Sequence, residues 1–142
     1  MHRPRTAPLL LALALLAGCA SRTPAPSTYE QLGGRAGVEA IVDDLLEAIV
    51  DDDRINRQFA NADIVRLRGK LIEQICVESG GPCTYTGLTM QESHAGRRIT
   101  DAQFNAMVED LIKVMTARGV PVGAQNRLLR RLAPMHGDIV TP

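Results

Sequence analysis

Four apolar stripes at helical spacing constrain the fold of this 142-residue chain more than any other feature. Side chains three and four positions apart share one face of an α-helix, so each stripe marks a face that a helix buries. The stripes are Val38, Ile41, Val42, Leu45, Leu46, Ile49 and Val50; Ile64, Leu67, Leu71, Ile72 and Ile75; Phe104, Met107, Val108, Leu111, Ile112 and Met115; and Leu128, Leu129 and Leu132. No stretch alternates apolar and polar residues as a half-buried strand would. The sequence therefore predicts an all-α domain with four main helices.

Polar residues predict where these helices start. A Ser, Thr or Asp side chain can accept a hydrogen bond from a free N–H in the first helical turn, and a Glu or Gln three residues later completes a capping box. The predicted caps are Ser27 with Glu30, Asp53, Asp63, and Thr100 with Gln103. Gly33-Gly34 ends a short first helix, Asp53 opens a short turn running to Phe59, and the last helix spans residues 122–133.

A loop of some twenty residues, from Gly80 to Thr100, separates the second and third stripes. A domain this small seldom keeps so long a loop without a functional reason. The loop holds His94, the only histidine inside the predicted core. Either the loop is a surface excursion that exposes His94, or it wraps around a group that the helices do not fill themselves.

The N-terminus has a separate character. Arg3 and Arg5 precede an apolar run that ends in Leu16-Ala17-Gly18-Cys19, and the run is too short to span a bilayer. This pattern resembles a bacterial lipoprotein signal, which implies removal of residues 1–18, lipidation of Cys19 and a Pro/Ser/Thr-rich tether over residues 19–28. The alternative is an ordinary secretory signal with a chance cysteine. Ala20, which is not aspartate, favours the periplasm-facing side of the outer membrane as the location in the cell envelope.

Five short motifs carry a resemblance to a known family. In chain order they are Tyr29-Glu30-x-Leu32-Gly33-Gly34, Gly80-Gly81-Pro82, Tyr85-Thr86-Gly87, Met90-x3-His94-x-Gly96-x2-Ile99-Thr100 and Gly119-Val120-Pro121. Their order and spacing resemble the truncated haemoglobins, and the first group most. The resemblance implies an all-α truncated globin, two helices over two, around a b-type haem (haem b) whose iron is bound by His94. It places the globin domain at residues 29–136 and a C-terminal tail at residues 137–142.

The resemblance also implies which side chains contact the haem. The expected set is Phe59, Leu67, Lys70, Leu71, Met90, His94, Ile99 and Phe104. Lys70 and Arg68 are candidates to pair with the haem propionates, although Lys70 could equally be a solvated lysine. Phe59 can serve as plain core packing as well as a haem contact.

The distal side of the expected haem departs from the family pattern. First-group members usually place a tyrosine and a glutamine there, and both donate hydrogen bonds to bound oxygen. This chain has Leu46 and Leu71 at the matching positions. Bound O₂ gains from a nearby donor, so tight oxygen storage is not expected unless Gln74 reaches the ligand.

Two further cysteines, Cys76 and Cys83, lie seven positions apart. In an oxidising compartment such a pair favours a disulfide, and the alternative is two free buried thiols. The chain has no Cys-x-x-Cys-His motif, so covalent c-type haem is not indicated.

These observations predict a haem protein that binds a diatomic gas (O₂, NO or CO) at the cell envelope. Oxidation of NO would need an unidentified reductase. One alternative is a haem-free globin-fold lipoprotein that acts as an interaction module. A second is an electron-transfer or peroxidase-like haem protein, against which the apolar Leu46 and Leu71 argue. The formal net charge of zero gives nucleic-acid binding no electrostatic basis.

The lipid anchor can be tested directly. Replacing Cys19 with Ser removes the acylated thiol, and more than one acyl chain is what makes membrane residence firm. We expect the Cys19→Ser protein to move from the membrane fraction to the soluble fraction. If it stayed entirely in the membrane fraction after signal cleavage, a different anchor would have to hold it.

Overall fold

The computed structural model describes residues 24–140, which form eight α-helices and one 3-10 turn. The predictions for residues 1–18 and for Cys19 lie outside the described residues. The helices are α1 (Thr28–Gln31), α2 (Gly34–Asp51), α3 (Asn56–Phe59), α4 (Ile64–Glu78), α5 (Met90–His94), α6 (Asp101–Ala117), α7 (Val122–Leu132) and α8 (His136–Ile139), with the 3-10 turn at Ala133–Met135 before α8. The predicted all-α fold is confirmed.

Helix α2 is the centre of the packing. Its buried face consists of Val38, Ile41, Val42, Leu45 and Ile49, none of which is more than 2% exposed. This face packs against α6 on one side and α4 on the other, while α7 packs against both α4 and α6. The four helices that carry the apolar stripes therefore share one core, because each stripe can leave water only against the others.

Most of the predicted helix caps are confirmed. Ser27 and Thr100 each form a complete capping box, and the Asp63 side chain accepts from the Arg66 N–H at 3.0 Å. The predicted cap at Asp53 is wrong. Helix α3 begins after Ile55 with no side-chain cap, and Asp53 accepts instead from the Asn56 side-chain amide at 3.2 Å.

The described structure continues past residue 136, the predicted end of the globin domain. Helix α7 ends at Leu132, one residue before the predicted end, and the chain continues through the 3-10 turn into α8. Helix α8 packs against α5, and Val140 forms an isolated parallel bridge with Ile99. Residues 137–140 therefore belong to the domain, because they cover apolar surface beside the loop that carries His94.

No helix within residues 24–140 has the length and apolar character that crossing a membrane requires.

One buried carboxylate in the core lacks a complete set of partners. Asp110 on α6 is 7% exposed, and within the described part of the chain its Oδ2 atom has no hydrogen-bond partner. Burial, with a smaller contribution from the negative charge of Asp52, raises the pKa of Asp110 above its ordinary value of 3.8. The folded protein thus holds this proton more tightly than the unfolded chain, so Asp110 destabilises the fold increasingly as pH rises from about 3.8.

Replacing Asp110 with Asn should therefore stabilise the protein at neutral pH. The amide keeps the shape of the side chain and removes the buried charge, and we expect the free energy of unfolding at pH 7 to rise by about 1 kcal/mol. The gain should shrink as pH falls toward 3.8. Urea denaturation at several pH values measures both effects, with the exposed Asp51→Asn as the control. Equal gains at all pH values would contradict this account.

Candidate functional site

The loop histidine lies on a short helix that the sequence caps well. Helix α5 starts after Thr89, whose side chain accepts from the Glu92 N–H at 3.1 Å while the Glu92 carboxylate accepts from the Thr89 N–H at 2.9 Å. His94 is the last residue of this helix and is half-buried. A five-residue helix is too short to be stable by itself, so its position depends on such local bonds and on its neighbours.

Hydrogen bonds orient the His94 ring. Its Nδ1 atom lies 2.9 Å from the carbonyl oxygen of Met90, one turn earlier, and 3.0 Å from the Ser93 hydroxyl. A carbonyl can only accept, so the bond to Met90 favours the tautomer that carries the proton on Nδ1. Within residues 24–140, Nε2 of His94 has no hydrogen-bond partner. This is the arrangement in which an imidazole can give its Nε2 lone pair to a metal.

The neighbours of α5 come from further along the chain. Gly96 leaves the helix with φ 73°, a backbone conformation that favours glycine. Ile99 is buried and pairs with Val140, and the ring of Phe104 packs edge-on against His136 with centroids 4.8 Å apart. Ile99 and Phe104 were both predicted to line the site, and His136 is a half-buried neighbour of Phe104.

Apolar side chains from three other helices that were predicted to line the site pack against the core. Leu46 on α2, Phe59 on α3 and Leu71 on α4 are half-buried and pack against the core. Leu67, one turn before Leu71, is also half-buried. Met107 on α6 has the same character and was not included in the predicted site, because its position in a helical stripe resembles ordinary core packing.

The polar side chains on and near α4 pair with one another. Arg68 pairs with the Asp43 carboxylate on α2, its Nη2 atom lying 2.9 Å from Oδ2. Gln74 donates to Glu78 at 3.1 Å, so its side chain is not directed toward Leu46 or Leu71. Propionate pairing by Arg68 stays a prediction, and it would compete with the ion pair to Asp43.

Lys70 likewise has partners that the sequence did not indicate. Its ammonium donates to both oxygens of Glu73, at 3.0 and 2.9 Å, and contacts the hydroxyl of Thr86 in the loop. The Thr86 N–H and the Lys70 ammonium hold the pKa of Glu73 below its ordinary value. The contact between Glu73 and Thr86 was not predicted from the sequence, because thirteen positions separate the two residues and no local pattern shows such a contact.

The loop is also bonded covalently to α4. Cys76 and Cys83 form a disulfide with their Cα atoms 6.0 Å apart. The Gly81 backbone passes close to this bond, since a Cβ atom at residue 81 would meet Cys76 Sγ at 2.6 Å and the Tyr29 ring at the same distance. The loop therefore begins at a position that α1 and α4 together determine.

These residues fit a haem. A porphyrin supplies four nitrogen ligands to its iron, so the protein has to add one imidazole and an apolar wall. His94 offers that imidazole with its second nitrogen already bonded to Met90. A bare metal ion fits less well, because residues 24–140 contain no group of three or more His, Cys, Asp or Glu side chains that could hold one.

Comparison with known proteins decides the family. The bacterial-like globin family matches residues 27–141, which is most of the chain. The chain is a bacterial-like globin. This match includes α8 and the residues after it, in agreement with the structural finding that the domain continues beyond residue 136.

This globin has relatives among the group 1 truncated haemoglobins. It is 32% identical to the protein of Mycolicibacterium paratuberculosis over 115 residues, 81% of this chain and 85% of the relative. It is 31% identical to the protein of Nostoc commune over 112 residues, 79% and 95% of the two chains.

Solved structures show the same fold. The Fe(III) form of the truncated haemoglobin from Tetrahymena pyriformis matches with a TM-score of 0.79 at 25% identity, covering 82% of this chain and all of that one. A Synechococcus 2/2 haemoglobin with covalently attached haem matches with a TM-score of 0.75 at 24% identity, covering 81% and 98% of the two chains. The predicted two-over-two truncated globin fold is thereby confirmed.

Proposed function

We propose that this globin binds haem b through Nε2 of His94 and binds a diatomic gas (O₂, NO or CO) reversibly on the opposite side of the iron. The observation that carries the proposal is the 2.9 Å contact between His94 Nδ1 and the Met90 carbonyl, within a chain whose family matches residues 27–141. When bound, haem supplies an iron with one free axial position for a small gas molecule.

The residues of the chain would hold and shield that group. The Met90 carbonyl keeps the His94 ring in one tautomer and one orientation, which makes Nε2 a better ligand. Phe59 and Leu71 offer apolar surface to the porphyrin and keep water away from it. Together these groups supply one ligand and a hydrophobic wall, which are the protein's share of a five-coordinate haem site.

The distal side chains then determine which gas is held well. Leu46 and Leu71 cannot donate a hydrogen bond, and the Gln74 amide donates to Glu78. Bound O₂ carries partial negative charge and is stabilised by a donor, whereas CO depends on one much less. We therefore propose fast O₂ release and a low ratio of O₂ to CO affinity.

The proposed location is the cell envelope, with the globin tethered through lipidated Cys19 at the periplasmic face of the outer membrane. The support is the sequence pattern of residues 1–28. An oxidising compartment of this kind favours disulfides such as Cys76–Cys83.

Removal of NO is the reaction that suits this location. The overall reaction combines NO, O₂ and one electron into nitrate, and a haem held by His94 would supply the iron for it. A reductase or another electron donor must supply that electron.

The haem assignment is tested by replacing His94 with Ala. Loss of the imidazole should abolish stoichiometric haem binding, measured as the Soret absorbance per protein and as the reduced-plus-CO spectrum. His136→Gln is the matched control, because it changes the other described histidine, whose Nε2 lies 2.8 Å from Asp101. A His94→Ala protein with full haem and an unchanged spectrum would show that the assignment is wrong. An unaltered protein that folds but takes up no haem would favour the haem-free interaction module.

The distal side is tested by replacing Leu46 with Tyr. The new hydroxyl can donate to bound O₂, and one such hydrogen bond is worth about 1–3 kcal/mol, or roughly ten- to a hundredfold in the O₂ dissociation rate. Leu46→Phe adds the ring without the donor and controls for crowding. Stopped-flow measurements should show slower O₂ release in the Tyr variant and little change for CO. Slow O₂ release in the unaltered protein, unchanged by Leu46→Tyr, would mean that another donor reaches the ligand.

A further inference from the structure

The loop between α4 and α5 leads to the short helix that carries His94, the proposed haem ligand. Two sets of side-chain contacts hold the middle of this loop to α4. The first is the Cys76–Cys83 disulfide. The second is centred on Glu73, whose carboxylate accepts from the Thr86 N–H at 2.8 Å and from the Thr86 hydroxyl at 2.9 Å. Within the described part of the chain, the side-chain bonds from residues 82–88 to α4 are these two and the contact of the Lys70 ammonium with the Thr86 hydroxyl.

The Glu73 contact is stronger than an ordinary surface ion pair. An exposed Lys–Glu pair contributes little, since both side chains are mobile and solvated. Here the Glu73 and Lys70 side chains are each 29% exposed, and the backbone N–H of Thr86 in the loop also donates to Glu73. A charged acceptor that binds a backbone N–H, a hydroxyl and an ammonium together restrains the loop backbone itself.

Restraint at Thr86 extends to the start of α5. Thr89 lies three positions after Thr86, so their Cα atoms can lie no more than about 11 Å apart. This short segment has its own bonds, because the Tyr85 hydroxyl donates to the Leu88 carbonyl at 2.8 Å. The Gly87 backbone lies against the Tyr85 ring, so a side chain at residue 87 would displace the outer part of that ring. A shift of Thr86 therefore also shifts Thr89, the residue that caps α5.

We propose that Glu73 is a positioning residue for His94: by holding Thr86, it sets where α5 lies relative to α4. Leu67 and Leu71, which form the distal wall of the proposed haem site, are on the same helix as Glu73. One carboxylate thus fixes the spacing between the proximal ligand and the distal wall. The consequence for gas binding rests on the proposed haem function, whereas the positioning of α5 does not.

The experiment compares Glu73→Gln with Glu78→Gln in the full-length, disulfide-bonded protein. Glu78 is a matched control, because it lies on the same helix and its carboxylate also forms an ion pair, with Arg131, but it does not contact Thr86. Amide hydrogen exchange is measured by mass spectrometry on the haem-free and the haem-loaded protein, with residues 38–49 of α2 as the internal reference.

We expect exchange in residues 86–94 to become about tenfold faster in Glu73→Gln, with α2 unchanged, because a hydrogen bond to a charged acceptor is lost. The acceleration should be larger after a dithiol reduces the Cys76–Cys83 bond to two thiols. In the loaded ferrous protein, the iron–histidine stretching band should shift or broaden in Glu73→Gln and not in Glu78→Gln. Thr86→Val, which removes only the hydroxyl, should give a smaller change in the same direction.

Unchanged exchange in residues 86–94, or acceleration equal to that in Glu78→Gln or spread evenly over α2, would overturn the proposal. If Glu73→Gln fails to fold, Thr86→Val decides by the same criteria. Failure of the haem assignment is distinguishable, because it appears as absent haem in the unaltered protein while the exchange of the haem-free protein still reports on α5.

Discussion

Burial of one face of α2 is the interaction on which the rest of the structure depends. Val38, Ile41 and Leu45 are almost completely removed from water, and both α4 and α6 pack against α2. Burying a side chain of this size is worth about 1.5–3 kcal/mol. Because both partners are placed by the same surface, the distal wall on α4 and the Phe104 region on α6 have a defined relation to each other. A site between them can then be formed by side chains that bury only part of their surface.

Different forces hold His94, the proposed haem ligand, in place. Helix α5 contributes no fully buried residue and is only five residues long, so packing of its own cannot hold it. Its position results from a capping box at Thr89, from contact with α8, and from the loop that is bonded to α4 at Cys83 and Thr86. The fold thus combines a rigid hydrophobic core with a ligand segment that hydrogen bonds and one covalent bond hold in place. This division explains why a long loop is kept in so small a domain.

Sequence analysis was most accurate where the physical cause is local. The stripes that predict α2, α4 and α6 depend on a spacing of three or four residues, and the caps at Ser27 and Thr100 join positions three apart. The predicted cap at Asp53 was wrong, because the Asp53 carboxylate accepts from the Asn56 side-chain amide and not from a backbone N–H of α3. Residues 137–140 show no local pattern of this kind, and their place in the fold comes from contacts with α5 and Ile99.

The sequence by itself determined that the chain is helical, that His94 is the candidate ligand, and that its distal positions 46 and 71 are apolar. These properties follow from residue identity and short spacing, which do not change when the chain folds. Only the tertiary structure decided that Lys70 is held by Glu73 and Thr86, that Gln74 turns to Glu78, and that Asp110 is buried without a full set of partners. Each of these outcomes depends on which polar groups lie within bonding distance of the side chain. The packing of α2, α4 and α6 determines those distances.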